Sequence, residues 1–157
     1  MAVSFKTSMT AYAVGRRANM EEWNTITRSL EGATALDFGV PAIAGSGDHG
    51  CLPLTATAQN VLGITEASLI LPHTTDTYQQ YDGVAICEKG VIGVLLDDDV
   101  VKGAQARFNL ATKKWTDAAQ SATVITIPGA QFDAAGVTGA VGIIRYRRPV
   151  PSLSVGS

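Results

Sequence analysis

Asp48, His49 and Cys51 lie in or beside the glycine-rich segment Gly45-Ser-Gly-Asp-His-Gly50, and they are the residues of this sequence most like metal ligands. A zinc site needs three or four such groups converging in near-tetrahedral geometry. Only one further histidine exists, His73, so a solvated loop with an incidental cysteine is the expectation. Asp97-Asp98-Asp99 offers carboxylates for Ca²⁺ but lacks the alternating spacing and closing Glu of a calcium loop, and reads as a charged turn at a strand end. Cys87 sits inside an apolar run, where a buried thiol has a raised pKa and is inert. Cys51 stands two residues from His49, but nothing local orients the imidazole as a triad requires. The glycine-rich loop has no following helix and no lysine for phosphate. Glu21-Glu22, beside an aromatic, reads as a solvated chain turn. No catalytic residue, metal or cofactor is expected.

Large apolar groups near free positive charge suggest contact with a partner instead, because aromatic residues and arginine dominate interface energies. Met20 and Trp23 follow Arg16 and Arg17, so the four together could anchor an N-terminal arm. The alternative for Trp23 is that it caps the bottom of a barrel. Trp115, placed after Lys113-Lys114 in an expected hairpin tip, carries the same two readings. Residues 1–20 hold Lys6, Arg16 and Arg17 and no acid, while residues 145–157 hold Arg145, Arg147 and Arg148 and no acid. The chain's net charge is −2, so the body between these ends is strongly acidic. Two basic ends on an acidic body are either docking arms for an acidic partner or segments that fold back on their own body.

The elements that position these groups are strands. Val, Ile and Thr make up 40 of the 157 residues, and β-branched side chains favour a pleated surface. Length and 46% hydrophobic content describe one globular domain. The charge argues against direct nucleic-acid binding, and no apolar run is long enough to span a bilayer. No compact apolar stretch near the start resembles a secretory signal, and two cysteines make no disulfide framework.

Residues 1–23 form an arm. Within it Met9–Met20 is weakly amphipathic, either a short helix interrupted by Gly15 or an extended segment. Strands are expected at Thr25–Leu30, Phe38–Ile43 (with Pro41 at an edge or bulge), Cys51–Thr55, Val61–Thr65, Ala106–Leu110, Val124–Ile127 and Ala140–Tyr146. Val84–Glu88 and Val91–Leu96, joined by Lys89-Gly90, read as a β-hairpin. Val91–Leu96 is continuously apolar and should lie centrally. The expected fold is all-β: a single antiparallel β-barrel or jelly-roll-like domain over residues 24–148, with an extended N-terminal arm and a short tail at 149–157.

The order of pieces is distinctive. Asn19-Met-Glu-Glu-Trp-Asn-Thr-Ile-Thr-Arg-Ser-Leu-Glu31 leads into Phe38-Gly-Val-Pro41, then Leu62-Gly-Ile64, Asp76-x-Tyr78, Glu88-Lys-Gly-Val-Ile92, Val101-Lys-Gly-Ala-Gln-Ala-Arg-Phe108, Ile127-Pro-Gly-Ala-Gln-Phe132 and Ile143-Ile-Arg-Tyr146. Over about residues 12–146 this resembles the structural cement proteins of tailed bacteriophages. The resemblance implies a β-barrel or jelly-roll-like protein without enzymatic activity. It would be made in the bacterial host cytoplasm and carried on the capsid exterior of the virion. There it would bind the major capsid protein, as a homo-oligomer (dimer or trimer), and reinforce contacts between capsid subunits. Avidity across a lattice would multiply a modest affinity. Arg16, Arg17, Met20 and Trp23, with Arg145, Arg147 and Arg148, are the expected interface. Two other readings remain: a small trimeric jelly-roll hydrolase using Asp97–Asp99, and a glycan-binding β-sandwich, for which only ten Phe, Trp and Tyr residues exist.

Overall fold

A computed structural model describes residues 13–56, 59–68 and 76–150. His73 and residues 1–12, with Lys6, lie outside the described residues, as do residues 151–157 of the tail. Among the described residues there are eleven strands: β1 (Asn24–Leu30), β2 (Leu36–Asp37), β3 (Pro41–Ala44), β4 (Gly50–Pro53), β5 (Val61–Thr65), β6 (Thr77–Tyr78), β7 (Gly83–Leu95), β8 (Gln105–Asn109), β9 (Lys114–Thr116), β10 (Val124–Phe132) and β11 (Val141–Arg147).

Five strands close into a small barrel in the order β1-β4-β3-β5-β7 and back to β1. The all-β barrel expected from the sequence is present, but one junction is parallel: Ser29 and Leu30 of β1 lie beside Gly50 and Cys51 of β4. Parity forces this. Strands that alternate in direction around a ring cannot close an odd number without one parallel pair, and the other four junctions are antiparallel. A second sheet, β7-β11-β10-β8-β9, shares β7 with the barrel. It curls until β9 meets the end of β7 again at a single parallel bridge, Leu96 to Trp115.

β7 therefore belongs to both halves. Residues 83–89 pair with β1 and residues 89–95 with β11. This corrects the hairpin expected at Lys89-Gly90, because the chain does not reverse there. Gly90 instead lets a ring lie flat on the strand: a Cβ at this position would fall 2.3 Å from Cε3 of Trp23. At 13 residues β7 is more than twice the usual strand length. Its apolar second half is buried along Val91–Val94 and at Leu96, as the continuous run predicts.

One continuous core fills both halves. Trp115 joins them. It is fully buried rather than at a hairpin tip, packs edge-to-face on Phe108, and donates its indole N–H to the Gly39 carbonyl at 2.7 Å. Pro41 begins β3 beside a register shift at Ala42/Ile43, where its missing donor costs no ladder bond. β10 runs on through Pro128-Gly129, past the end expected at Ile127. Its pairing with β8 shifts there, and the Gln105 amide donates to the carbonyls of Ile127 and Ala130 that the ladder leaves over.

Candidate functional site

Residues 13–18 run along β7 as an outer strap. Gly15 N–H donates to the Gly93 carbonyl at 2.8 Å, Gly93 N–H to the Arg16 carbonyl at 2.9 Å, and Ala18 N–H to the Val91 carbonyl at 2.8 Å. Gly93 is needed for this approach, since a Cβ there would meet the Ala13 carbonyl at 2.5 Å. The strap then turns so that Trp23 covers Gly90. The indole N–H donates to Thr25 Oγ1 at 2.7 Å and to Glu66 Oε1 at 3.2 Å. Arg17 sits over the ring, 5.3 Å from its centroid, in a cation–π contact. Burial pushes the Glu66 carboxyl pKa up, against the opposing effect of its Thr25 and Trp23 donors and of Arg17.

The end of β11 meets the strap. Arg145 holds the Glu21 carboxylate and also donates to Asp133 Oδ1 through Nε at 3.1 Å and Nη2 at 3.0 Å. Lys89 pairs with Glu22. Both glutamates are shifted below the ordinary carboxylate range, Glu21 chiefly by its bond from Arg145 and Glu22 by its bond from Lys89. Arg148 donates to Glu88 Oε1 at 2.6 Å, and Asn24 donates to the other oxygen at 2.9 Å. These exposed pairs add little energy singly, but together they fix where the two terminal segments lie.

Of the seven residues expected at an interface, Arg17 lies over Trp23, Arg147 and Arg148 line one cleft with Trp23, Arg145 lines the adjoining cleft with Arg147, and Met20 precedes Glu21, which Arg145 holds. Within the group the roles divide. Arg145 and Arg148 are committed to internal ion pairs, so these two fold back on the body. Arg147 shares the exposed face of β11 with Arg145, and among the described residues it makes no ion pair within 4 Å, though its charge helps to lower the Glu22 pKa. Met20 is 91% and Val150 88% exposed. Two adjoining clefts, about 320 and 590 Å³, run between strap and strand end and share Glu22, Lys89 and Arg147. Arg16 stands apart. Arg16 closes a turn, its N–H donating to the Ala13 carbonyl at 3.2 Å with Gly15 at φ +73°, and it lines a different cleft with Phe38 and Asp76.

The candidate chemical groups are dispersed. His49 is exposed in its loop while Cys51 is buried in the barrel, its thiol pushed up to about 11 by burial first and the Glu31 charge second. Cys87 is pushed up to about 12, mainly by burial. The Asp97–Asp99 carboxylates go three ways, accepting from Asn109, Thr116 and Thr138. Among the described residues no cluster of three His, Cys, Asp or Glu side chains could hold a metal ion. The aromatics a glycan groove would need are largely core: Phe38, Tyr78, Phe108, Trp115, Phe132 and Tyr146 are buried.

Sequence reasoning missed Glu31, whose carboxylate organises the glycine-rich loop. Its Oε2 accepts from Ser46 N–H at 2.8 Å and its Oε1 from Gly47 N–H at 2.8 Å. A Cβ at Gly50 would fall 1.6 Å from Oε1. The loop's glycines wrap this chain's own carboxylate, and the available signal was an acid directly after a strand facing a run of small residues. It also missed Glu21 and Asp133 as the partners of Arg145, which lie 124 and 12 residues from it in sequence.

Comparison with known proteins finds that residues 2–147 match the family described as Structural cement protein (E217 gp24/Pam3 gp6). No curated protein matches the sequence. Among solved structures, the fold is similar to that of a chain in the capsid of Myoviridae phage XM1, at 12% identity and a TM-score of 0.69, covering 93% of this chain and 96% of that one.

Proposed function

Because this chain belongs to the phage structural cement protein family, a family of capsid components and not of enzymes, we propose that it binds the outside of the shell and ties neighbouring major capsid protein subunits together. The strap and the end of β11 form the gripping face. The convergence of Trp23, Arg147 and Val150 on one cleft, with the exposed Met20 three residues before Trp23, carries this reading. Apolar groups and the Arg147 cation stand beside the ion pairs Arg145–Glu21, Lys89–Glu22 and Arg148–Glu88, the composition of an interface that discriminates by fit and sign. A shell must hold against packed DNA through many weak joints, and a rigid β body bridging two tiles adds buried area where the lattice is thinnest. Repetition of one contact around the shell raises total retention far above the single-site affinity. Pairing of copies into a dimer or trimer on the shell would add to this, since a symmetric assembly presents the same face several times.

Co-sedimentation of the purified chain with shells that lack it tests the proposal. The parent should pellet with shells, and the double variant Met20→Asp/Arg147→Glu should lose binding on the order of 10- to 100-fold, the effect of removing two central contacts. Both sites are exposed, so the fold should persist by circular dichroism. Unchanged pelleting of this variant would remove the face from the account.

A further inference from the structure

Tyr81, in the turn just before β7, is 76% exposed and has its backbone at φ +70°. That is left-handed backbone, which glycine adopts freely and a bulky residue only against steric resistance. The neighbouring chain holds it there. Tyr81 N–H donates to the Leu30 carbonyl at 2.7 Å, and Leu30 N–H to the Asp82 carbonyl at 3.1 Å. Asp82 N–H donates to the Gln79 carbonyl at 3.0 Å, and Gln79 N–H returns to Asp82 Oδ2 at 2.7 Å. A glycine at position 81 would make the same backbone bonds, so the turn does not need the phenol ring.

Glu31, directly after β1, ties this turn to the glycine-rich loop. Its carbonyl accepts from the Gln80 side-chain amide at 3.1 Å, while its carboxylate holds Ser46 and Gly47. Residues 46–49 and 80–81 are all exposed, on two loops built from one point. The charge there is mostly negative. Glu31, Asp48 and Asp82 stand against His49 and Arg28, whose guanidinium donates to the Thr27 carbonyl at 2.9 Å. Tyr81 bonds to the last residue of β1 and Trp23 precedes the first, so seven residues, roughly 23 Å of strand, separate this turn from the strap.

We propose that Tyr81 anchors a second shell-binding surface, whose occupant is an arginine- or lysine-bearing segment of a neighbouring major capsid protein subunit. This rests on the shell-binding reading above and adds the contact that a bridge needs at its other end. A cation is attracted to the face of an exposed tyrosine, and the carboxylates nearby favour the same sign. A ring carried on so firmly bonded a turn loses little backbone freedom on docking, and aromatic residues are the commonest interface anchors. The strap face offers the Arg147 cation and this turn offers carboxylates. The two ends therefore select patches of opposite sign on two subunits.

Two full-length variants test it. Tyr81→Gly removes the ring and suits the left-handed backbone, so its melting midpoint should stay near the parent's while co-sedimentation with shells weakens about tenfold. A photo-reactive benzophenone side chain in place of Tyr81 should crosslink, on shells, to the capsid protein beside an arginine or lysine. Parent-like pelleting of Tyr81→Gly, with Met20→Asp/Arg147→Glu still losing binding, would overturn the second surface and leave the strap face standing. A crosslink to a second copy of this chain, or to a capsid segment without basic residues, would overturn the assigned occupant. A Tyr81→Gly melting midpoint that fell together with binding would make the ring a structural element and not an anchor. Failure of the parent itself to pellet would remove the shell-binding reading and this surface with it.

Discussion

Trp115→Ala should lower the stability of the chain by about 3–5 kcal/mol, the cost of truncating a fully buried large aromatic whose site cannot collapse. The residue is 0% exposed and has three separate attachments. Its ring meets Phe108 at a 5.5 Å centroid separation, its N–H satisfies the Gly39 carbonyl in the barrel, and its backbone carbonyl accepts from Asp97 N–H at 2.8 Å. The backbone contact survives substitution. The first two do not, and the Gly39 carbonyl is left without its indole donor. For a domain of this size the melting midpoint should fall on the order of 10 °C. Trp115→Phe separates the two causes: it keeps most of the volume and loses the donor, so its fall should be clearly smaller. Equal losses for both variants would assign the effect to the hydrogen bond rather than to the cavity. A loss below about 1 kcal/mol for Trp115→Ala would mean that the two halves are not joined through this ring.

Gly90→Val should release the strap while leaving the sheets folded. Any Cβ at Gly90 enters the Trp23 ring, with Cε3, Cζ3 and Cδ2 at 2.3, 2.8 and 3.0 Å, and the backbone there has φ +153°. Neither the ring nor the strand can yield locally: the strand is the one shared by both sheets, so Trp23 must leave. Its departure removes an indole donor from the partly buried Glu66 carboxylate and the surface on which Arg17 rests. The combined cost is about 2–4 kcal/mol, from overpacking and a buried acceptor losing a partner. Hydrogen exchange at Gly15 and Ala18, whose N–H groups bond to β7, should speed up far more than exchange in the centre of β7. Gly103→Ala is the control, since its left-handed φ of +84° carries a cost near 1 kcal/mol while nothing lies within 4 Å of the added carbon. If Gly90→Val behaved like that control, Trp23 would not be what holds the strap.

These two residues also show what could be read in the sequence and what could not. β5 and the buried second half of β7 were legible because their signal is local: alternation, or a continuous apolar run, between turn residues. Lys89-Gly90 between two apolar runs matches a hairpin equally well on local grounds. Only Trp23, 67 residues earlier, turns that glycine from a corner into a seat for a ring. Pro128-Gly129 misled in the same way, because the carbonyls freed by the bulge are satisfied by Gln105 from another strand. The basic ends were visible as composition, and so was the choice between reaching out and folding back. The outcome is divided by residue: Arg145 and Arg148 are bonded to acids that tertiary pairing brings to them, whereas Arg147, on the same exposed face of β11 as Arg145, lines the clefts beside Glu22 without a direct bond to it. Trp115 following two lysines looked like an exposed tip because a three-residue strand is too short to show a period.

Shell binding through this face requires the strap and the end of β11 to point at the capsid in an assembled head. A cryo-electron microscopy map of intact virions at side-chain resolution is the direct measurement. The expected map has this chain on the outer surface across a joint between capsid subunits, with Met20, Trp23, Arg147 and Val150 against the capsid protein. A chain found inside the shell, or seated on one subunit with that face toward solvent, would contradict it.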